Sequence, residues 1–255
     1  MTIARVIPCL MLKNTGLVKT TRFKHPVYLG DVINVVRLFN DMEADELGIV
    51  DVTARSEGRG PSFELLANVA ANAFMPMSYG GGIRHMDDIR AVLSLGFEKV
   101  ILGSVAVDQP ALVNQAAGAV GCQSIVVSID VKKHLFGHYE VHSHCGKQRT
   151  RTDPVEFARQ MEQRGAGELL LTSIDQDGTM TGYDLELIRR VSEAVRIPVI
   201  ASGGAGKVED FREAVLSGAS AVAAGSLFVF QGPRRGVLIS FPSRQELDHL
   251  LTFDR

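Results

Sequence analysis

The chain has 255 residues, a formal net charge of −2 at pH 7 and 45% hydrophobic residues. Its length suits one large α/β barrel or two small domains, and its near-neutral charge gives no long-range attraction to nucleic acid or to a membrane surface. No apolar run approaches the roughly 20 residues that span a bilayer, and the first residues do not form a signal peptide, so we expect a cytoplasmic protein with no nucleic-acid or membrane partner.

Eight short runs rich in Val, Ile and Leu alternate with longer segments that have the spacing of amphipathic helices. Continuous apolar runs are typical of parallel strands buried on both faces. The predicted strands are Arg5–Leu12, Glu46–Val52, Met75–Tyr79, Lys99–Leu102, Ser124–Asp130, Glu168–Ser173, Val199–Ser202 and Ala221–Ala224. Eight strands that alternate with helices form either a closed barrel or an open doubly wound sheet.

An internal repeat distinguishes between these two folds. Pairs of residues separated by 122 positions (for example, 82 and 204) match in type: Pro76 with Pro198, Gly81-Gly82 with Gly203-Gly204, and Gly103-Ser104 with Gly225-Ser226. Two similar halves of four βα units close naturally into a barrel. The sequence therefore predicts a single (β/α)8 TIM barrel with a twofold half-barrel repeat, in one domain that covers residues 1–255.

The C-terminal segment 231–255 is atypical for a barrel, whose last helix should be regular and amphipathic. Pro233 and Pro242 prevent a normal helix through its first part. A helix can restart with Ser243 as its N-cap, because Glu246 stands at the third helical position and completes a capping box. The three cysteines are Cys9, Cys122 and Cys145; this odd number predicts neither a disulfide framework nor a zinc site, and we expect Cys9 and Cys122 to be buried.

Glycine-containing turns follow predicted strands 3, 4, 6, 7 and 8. Glycine lets the backbone approach an anion, and the N–H groups at a helix start can bind it. The candidate phosphate-binding residues are Gly81, Gly82, Gly103, Ser104, Asp177, Gly178, Gly203, Gly204, Gly225 and Ser226. The alternative is that these residues only form tight turns, and Asp177 in particular suits either role. Two related anion sites across the barrel mouth would suit a small-molecule ligand with a phosphate at each end.

A series of motifs runs in order through nearly the whole chain. They are Ile7-Pro-Cys-Leu, Ala44-Asp-Glu-Leu, Gly80-Gly-Gly-Ile-Arg84, Ile129-Asp130, Leu170-Leu-Thr-Ser173, Asp177-Gly-Thr179, Gly182-Tyr-Asp184 and Ile197-Pro-Val-Ile-Ala-Ser-Gly-Gly204. The series resembles the cyclase subunit of imidazole glycerol phosphate synthase. The resemblance implies a partner glutaminase whose ammonia crosses the barrel, a bis-phosphorylated substrate, no cofactor, and two catalytic aspartates at the ends of strands 1 and 5.

The first of these two aspartates is absent. Asp130 matches the aspartate of strand 5, but Met11 stands where the family has the aspartate of strand 1, at the position equivalent to Asp130 in the repeat. A thioether cannot carry a proton at neutral pH, so we expect most cyclase activity to be lost. The alternative is that Asp130 suffices alone or that a nearby group substitutes. Gly103 is a further departure, because the family usually has asparagine there.

These departures resemble a paralogous branch, the glycosyl amidation-associated proteins of surface-polysaccharide gene clusters. The similarity lies in Ile7–Asn14, Leu17-Val-Lys-Thr20 and Gly236-Val-Leu-Ile. It implies a complex of a glutaminase, this barrel and a sugar amidotransferase that converts an N-acetyl sugar to an acetamidino sugar. Two alternatives remain: a true cyclase of histidine biosynthesis, and a stand-alone phosphosugar isomerase, which would also need the missing strand 1 aspartate.

The resemblance implies two further features. Arg5, Glu46, Lys99 and Glu168 correspond to a charged ring that gates the ammonia entrance, although a structural plug at the barrel bottom is the alternative. Lys19, a candidate catalytic residue that would contact the ligand, lies in the segment Lys13–Gly30, which corresponds to a mobile loop that closes over substrate. Histidines at 134, 138, 142 and 144 suggest a hairpin with its turn at Gly137; we expect them to be exposed strand residues and expect no metal site. Metal binding by the His-x-His pair at 142 and 144 is the alternative.

Overall fold

The computed structural model describes residues 4–252 and shows a closed barrel of eight parallel strands. The barrel strands are β1 (Arg5–Lys13), β2 (Leu47–Asp51), β3 (Met77–Gly80), β4 (Lys99–Leu102), β5 (Ile125–Lys133), β6 (Glu168–Ser173), β7 (Val199–Ser202) and β8 (Ala221–Ala224). Each strand pairs with the next, and β8 pairs with β1 to close the ring. The predicted (β/α)8 fold is thus confirmed, and the open sheet is excluded.

Ten α-helices accompany the strands within residues 4–252. They are α1 (Val32–Asp41), α2 (Phe63–Ala70), α3 (Met86–Ser94), α4 (Ser104–Asp108), α5 (Ala111–Val120), α6 (Pro154–Gln163), α7 (Leu185–Ser192), α8 (Glu209–Leu216), α9 (Ser226–Val229) and α10 (Arg244–Leu251). Helix α7 shows how they pack, because it buries Leu187, Ile188 and Val191 and directs the basic side chains of Arg189 and Arg190 away from the core. The core therefore lies mainly between the strands and the surrounding helices.

The C-terminal segment restarts as a helix where the capping box predicts. The Glu246 amide lies 3.3 Å from Ser243 Oγ, and the Ser243 amide donates to Glu246 Oε2 at 2.8 Å. Before it, a short hairpin of Phe230–Gln231 and Gly236–Val237 takes the place of a regular helix. The predicted atypical segment is described only as far as Thr252, and the predicted domain limits 1 and 255 lie outside the described residues.

Each half-barrel carries an antiparallel hairpin on its first strand. Strands Gly16–Thr21 and Lys24–Asp31 extend β1, while Tyr139–Ser143 and Gln148–Arg149 extend β5. We refer to residues 13–31 as the first hairpin and residues 133–149 as the second hairpin. The segment expected to be a closing loop is therefore paired strand, because its alternating Val, Leu and Thr side chains have a pleated partner to pack on.

The strand register reproduces the repeat seen in the sequence. Met11 pairs with Val50 and Asp130 pairs with Thr172, and positions 50 and 172 are separated by the same 122 residues as the other repeat pairs. Met11 and Asp130 themselves are 119 apart (from 11 to 130), because the segment that follows Asp130 is three residues longer. The structure thus confirms that Met11 occupies the position equivalent to Asp130.

Two expectations about side-chain exposure are wrong. His142 is only 6% exposed, because it faces the barrel mouth from the second hairpin, and Cys122 is exposed because it begins a one-turn 3-10 helix at the end of α5. Cys9 and Cys145 are half-buried, and all three thiols are free. Within residues 4–252, no helix has both the length and the apolar character that a membrane crossing requires.

Candidate active site

The carboxyl ends of the strands carry the groups that could perform acid–base chemistry, as in other barrels of this architecture. Asp130 accepts a hydrogen bond from Ser128 Oγ at 3.2 Å. Poor hydration raises the pKa of Asp130 to about 7, an effect opposed by the Ser128 hydrogen bond and reinforced by the negative charge of Asp177. A carboxyl group with this pKa can both donate and accept a proton near neutral pH.

Met11 provides no partner for Asp130 in such chemistry. Thr20 Oγ1 lies 3.4 Å from its sulfur, so the first hairpin packs directly on the thioether. Cys9 lines the same pocket, two residues earlier on β1. Burial raises the pKa of Cys9 to about 11, and this thiol therefore stays protonated at neutral pH. The mouth consequently holds one group poised for proton transfer where the family pattern has a pair.

Lys19 and Asp177 form a buried ion pair that joins the first hairpin to the turn after β6. Lys19 Nζ lies 2.6 Å from Asp177 Oδ1, while the second carboxylate oxygen accepts from Thr20 Oγ1 at 3.1 Å and from the Phe23 amide at 3.4 Å. Both charged side chains are less than 7% exposed. From the sequence, Asp177 suits either a turn or a contact with ligand. In the structure its carboxylate already binds Lys19 and Thr20.

The predicted anion-binding residues after β6, β7 and β8 surround one pocket. Its walls include Asp177, Gly178, Gly203, Gly204, Gly225 and Ser226, together with Lys19 and Met11. Ser226 Oγ is buried and has no hydrogen-bond partner among the described residues. A Cβ atom on Gly203 would lie 2.7 Å from the Ser173 carbonyl oxygen, so only glycine fits there. The free buried hydroxyl and the glycine turns fit an anion such as phosphate, while the Lys19 ammonium on the same wall is paired with Asp177.

The equivalent loops after β3 and β4 have the same backbone but different neighbours. Gly81 and Gly82 have φ values of +120° and +71°, and their counterparts in the second half also have positive φ. Here, however, Ser104 Oγ accepts a hydrogen bond from the His144 amide at 2.9 Å, so the second hairpin covers this loop. The structure places Gly103 at the start of α4, where an added Cβ would make an ordinary contact with Ser128 Cβ at 3.9 Å.

Two arginines near this second loop pair were not predicted as site residues. Arg59 donates to both carboxylate oxygens of Asp51, from Nη1 at 2.7 Å and from Nη2 at 3.1 Å. Arg84 has a buried Nε atom without a hydrogen-bond partner among the described residues, and its Nη2 lies 3.3 Å from the Arg59 carbonyl oxygen. Arg84 belongs to a motif noted in the sequence, whereas Arg59 lies in an irregular loop that carries no local signal.

The four charged residues at the opposite end form a closed ring. Arg5 contacts Glu46 through Nη1 and Glu168 through Nη2, the latter at 2.7 Å; Lys99 Nζ lies 3.1 Å from Glu46 and 3.0 Å from Glu168. Each cation therefore bridges both carboxylates. We call these four residues the basal ring. Above it, the barrel interior is lined mainly by apolar side chains, among them Ile7, Ile101, Val126, Leu170 and Ile200.

These features define an α/β barrel whose acid–base groups and candidate anion pocket lie at the carboxyl ends of its strands. The chain belongs to the histidine biosynthesis protein family, which it matches over residues 5–233.

Several similar proteins carry names from the same family. The chain is 45% identical over 245 residues to a putative imidazole glycerol phosphate synthase subunit hisF2 of Pseudomonas aeruginosa, which covers 96% of this chain and 98% of that protein. It is 42% identical over 248 residues to a putative subunit HisF of Leptospira interrogans, with 96% and 98% covered. It is 48% identical over 227 residues to the subunit HisF of Hyphomonas neptunium, with 89% and 90% covered. The cyclase-subunit family inferred from the motifs is thus supported.

Proposed function

We propose that this chain is a cytoplasmic barrel subunit that receives ammonia from a partner glutaminase and serves the amidation of a surface-polysaccharide sugar, with little or no cyclase activity of its own. The observation that carries the proposal is the position of Met11, which pairs with Val50 as Asp130 pairs with Thr172. The barrel keeps one half of a twofold acid–base pair and replaces the other half with a thioether.

No residue that the structure describes around Met11 restores the missing acid. The Cys9 thiol stays protonated because burial raises its pKa to about 11, and the Asp177 carboxylate is held by Lys19, Thr20 and Phe23. General acid–base catalysis typically contributes about 10²–10⁴-fold to a rate. Because Met11 replaces one aspartate of the acid–base pair, the rate of cyclisation should be greatly reduced.

The basal ring and the apolar interior above it support a role in ammonia transfer. Ammonia is small and neutral, so it can cross an interior lined by Ile and Val side chains in which an ammonium ion would be costly. A partner glutaminase would dock on the face that carries the basal ring. The names of the relatives describe subunits, which supports an assembly, and the resemblance of β1 to the glycosyl amidation branch supports a sugar amidotransferase as the acceptor.

The pocket after β6, β7 and β8 supports binding of a phosphorylated small molecule. Lys19 and its ion-pair partner Asp177 lie at its wall, and the unpartnered Ser226 hydroxyl supplies a donor. In this proposal the other predicted phosphate residues, Gly81, Gly82, Gly103 and Ser104, form a second anion site across the mouth, beneath the second hairpin.

A second candidate, a true cyclase of histidine biosynthesis, is favoured by the names of the relatives. The discriminating experiment measures ammonia-dependent cyclase turnover on the formimino-ribulosyl nucleotide for the wild type, for Met11→Asp and for the matched control Met11→Asn. We expect no measurable turnover by the wild type or by Met11→Asn, and a gain by Met11→Asp, because only aspartate supplies the missing proton carrier.

Either result of this experiment is decisive. Wild-type turnover close to that of an ordinary cyclase would contradict the proposal and would mean that Asp130 works without its partner. A gain in Met11→Asp that is abolished by adding Asp130→Asn would show that the anion sites are intact and that only the acid–base pair was lost.

A further inference from the structure

The second hairpin carries a cluster of three potential metal ligands that takes no part in the function proposed above. Among residues 4–252, it is the one group of three or more His, Cys, Asp or Glu side chains whose ligand atoms converge, all within 4.8 Å of one another. Its members are His134, at the start of the turn, and Glu140 and His142, on the returning strand. Two of the three are nearly inaccessible, since Glu140 is 1% and His142 is 6% exposed.

Two of the three ligand–ligand distances in this cluster are close to the edges of a coordination tetrahedron. The two imidazole Nε2 atoms of His134 and His142 lie 3.4 Å apart, and His134 Nε2 lies 3.1 Å from Glu140 Oε2. Zinc binds imidazole nitrogen at about 2.0–2.1 Å, which gives ligand–ligand edges of about 3.4 Å in a tetrahedron. The stacked rings of the two histidines are inclined by 23°, so His134, whose side chain is 26% exposed, would turn its ring toward the ion.

The hydrogen bonds around the cluster already orient two of the ligands. His142 Nδ1 lies 3.0 Å from the Gly146 carbonyl oxygen, so Nδ1 carries the proton and Nε2 presents its lone pair to the cluster. A metal-binding histidine commonly donates its other ring N–H to a backbone carbonyl, which fixes the orientation of the ring. Glu140 Oε1 accepts from the Arg151 amide at 2.8 Å, which fixes the carboxylate and leaves Oε2 on the side of the two histidines.

The Arg149 guanidinium already contacts the Glu140 oxygen that a metal ion would bind. Arg149 Nη2 lies 2.6 Å from Glu140 Oε2, yet the Arg149 side chain is 61% exposed and can withdraw into solvent. From this geometry we propose that His134, Glu140 and His142 form a binding site for a divalent transition-metal ion of the zinc class. Such an ion would cross-link the turn of the second hairpin to its returning strand, where His142 stands opposite Asp130 in the register.

The test uses the full-length protein, freed of metal with a chelator and titrated with Zn²⁺ against a chromophoric competitor. We expect one tightly bound equivalent of Zn²⁺ per chain. The affinity should fall by at least about 10–100-fold in His142→Ala, His134→Ala and Glu140→Gln, because even the loss of a group that only orients a metal ligand has an effect of that size. His138→Ala is the matched control, since this exposed histidine of the same hairpin lies outside the cluster. Arg149→Ala should bind more tightly, because it removes the competing cation.

Further measurements keep the site testable if a ligand variant folds poorly. At a hundredfold excess of Zn²⁺ over its Kd, the wild-type Tm should rise by about 5 °C or more, and bound Co²⁺ should give the visible absorption of a four-coordinate site. Absence of a stoichiometric equivalent in the wild type, or an equal loss in His138→Ala, would overturn the proposal. Weaker or unchanged binding in Arg149→Ala would remove Glu140 from the ligand set.

Discussion

Asp130 titrates near neutral pH, and this affects the stability of the protein as well as its chemistry. In the unfolded chain its carboxyl group ionises near its ordinary value of 3.8, whereas the folded protein holds the proton up to a pKa of about 7. Between these values the folded state binds more protons than the unfolded state, so the contribution of Asp130 to stability falls as the pH rises. The variant Asp130→Asn has no ionisable group at this position, so its stability lacks this dependence on pH.

The free energy of unfolding of the wild type, relative to Asp130→Asn, should therefore fall by about 2–4 kcal/mol between pH 3 and pH 8. Urea unfolding of both proteins across this range measures the difference. Ser128→Ala is the control, because it removes the hydrogen bond that holds the pKa down and should move the fall to higher pH. A difference that does not change with pH would mean that Asp130 is as well hydrated as an ordinary surface aspartate.

Single residues were predictable from the sequence where a motif or the repeat identifies them. The equivalence of Met11 and Asp130 follows from the repeat and is confirmed by the strand register. The contact between Lys19 and Asp177 was not predictable, because the two residues are 158 positions apart and meet only when the first hairpin folds back over the mouth. The approach of His134 to Glu140 and His142 was missed because alternation along a strand does not show which face is buried.

At the scale of secondary-structure elements, the first hairpin is held on the barrel by a close backbone contact at Gly178. This glycine has φ +72°, and a Cβ atom on it would overlap the carbonyl oxygen of Thr20 and lie 2.9 Å from the Thr21 Cα. The Arg22 amide also donates to the Asp177 carbonyl oxygen at 2.8 Å. The turn after β6 therefore supports the hairpin that carries Lys19.

Gly178→Ala should destabilise the protein by about 2–4 kcal/mol, as the sum of left-handed backbone strain and overlap with the hairpin. Gly58→Ala is the matched control, because Gly58 has φ +69° and no atom within 4 Å of the added Cβ, and it should cost only about 1 kcal/mol. Equal effects in urea unfolding would show that the hairpin does not press on Gly178.

The sequence predicted elements well where one local rule determines them. Observed and predicted ends of the eight strands agree within three residues, because buried parallel strands are continuous apolar runs bounded by polar turns. The start of α10 follows from the capping box of Ser243 and Glu246. The resemblance to the family predicts a mobile loop at the first hairpin, and its pairing with β1 makes these residues strand instead.

At the scale of the whole molecule, the basal ring links strands of both half-barrels. Arg5, Glu46 and Lys99 belong to the first half and Glu168 to the second. Glu46 is 3% exposed, so its charge depends on the two cations that contact it. A buried carboxylate that loses a partner is costly, whereas removing both members of a pair costs less. The ring should therefore behave as one coupled unit.

Lys99→Met should lower the free energy of unfolding by about 2–4 kcal/mol, because Glu46 and Glu168 would share Arg5 alone. Adding Glu168→Gln restores the balance of charge, since Arg5 and Glu46 remain as a pair. The double variant should thus be less destabilised than the sum of the two single variants, with a coupling of about 1–2 kcal/mol.

Arg244→Ala, which breaks an exposed pair with Asp45, is the control and should cost less than about 1 kcal/mol. Additive effects of Lys99→Met and Glu168→Gln would mean that the four charges do not act as a ring, and the ring could then not open as a single gate.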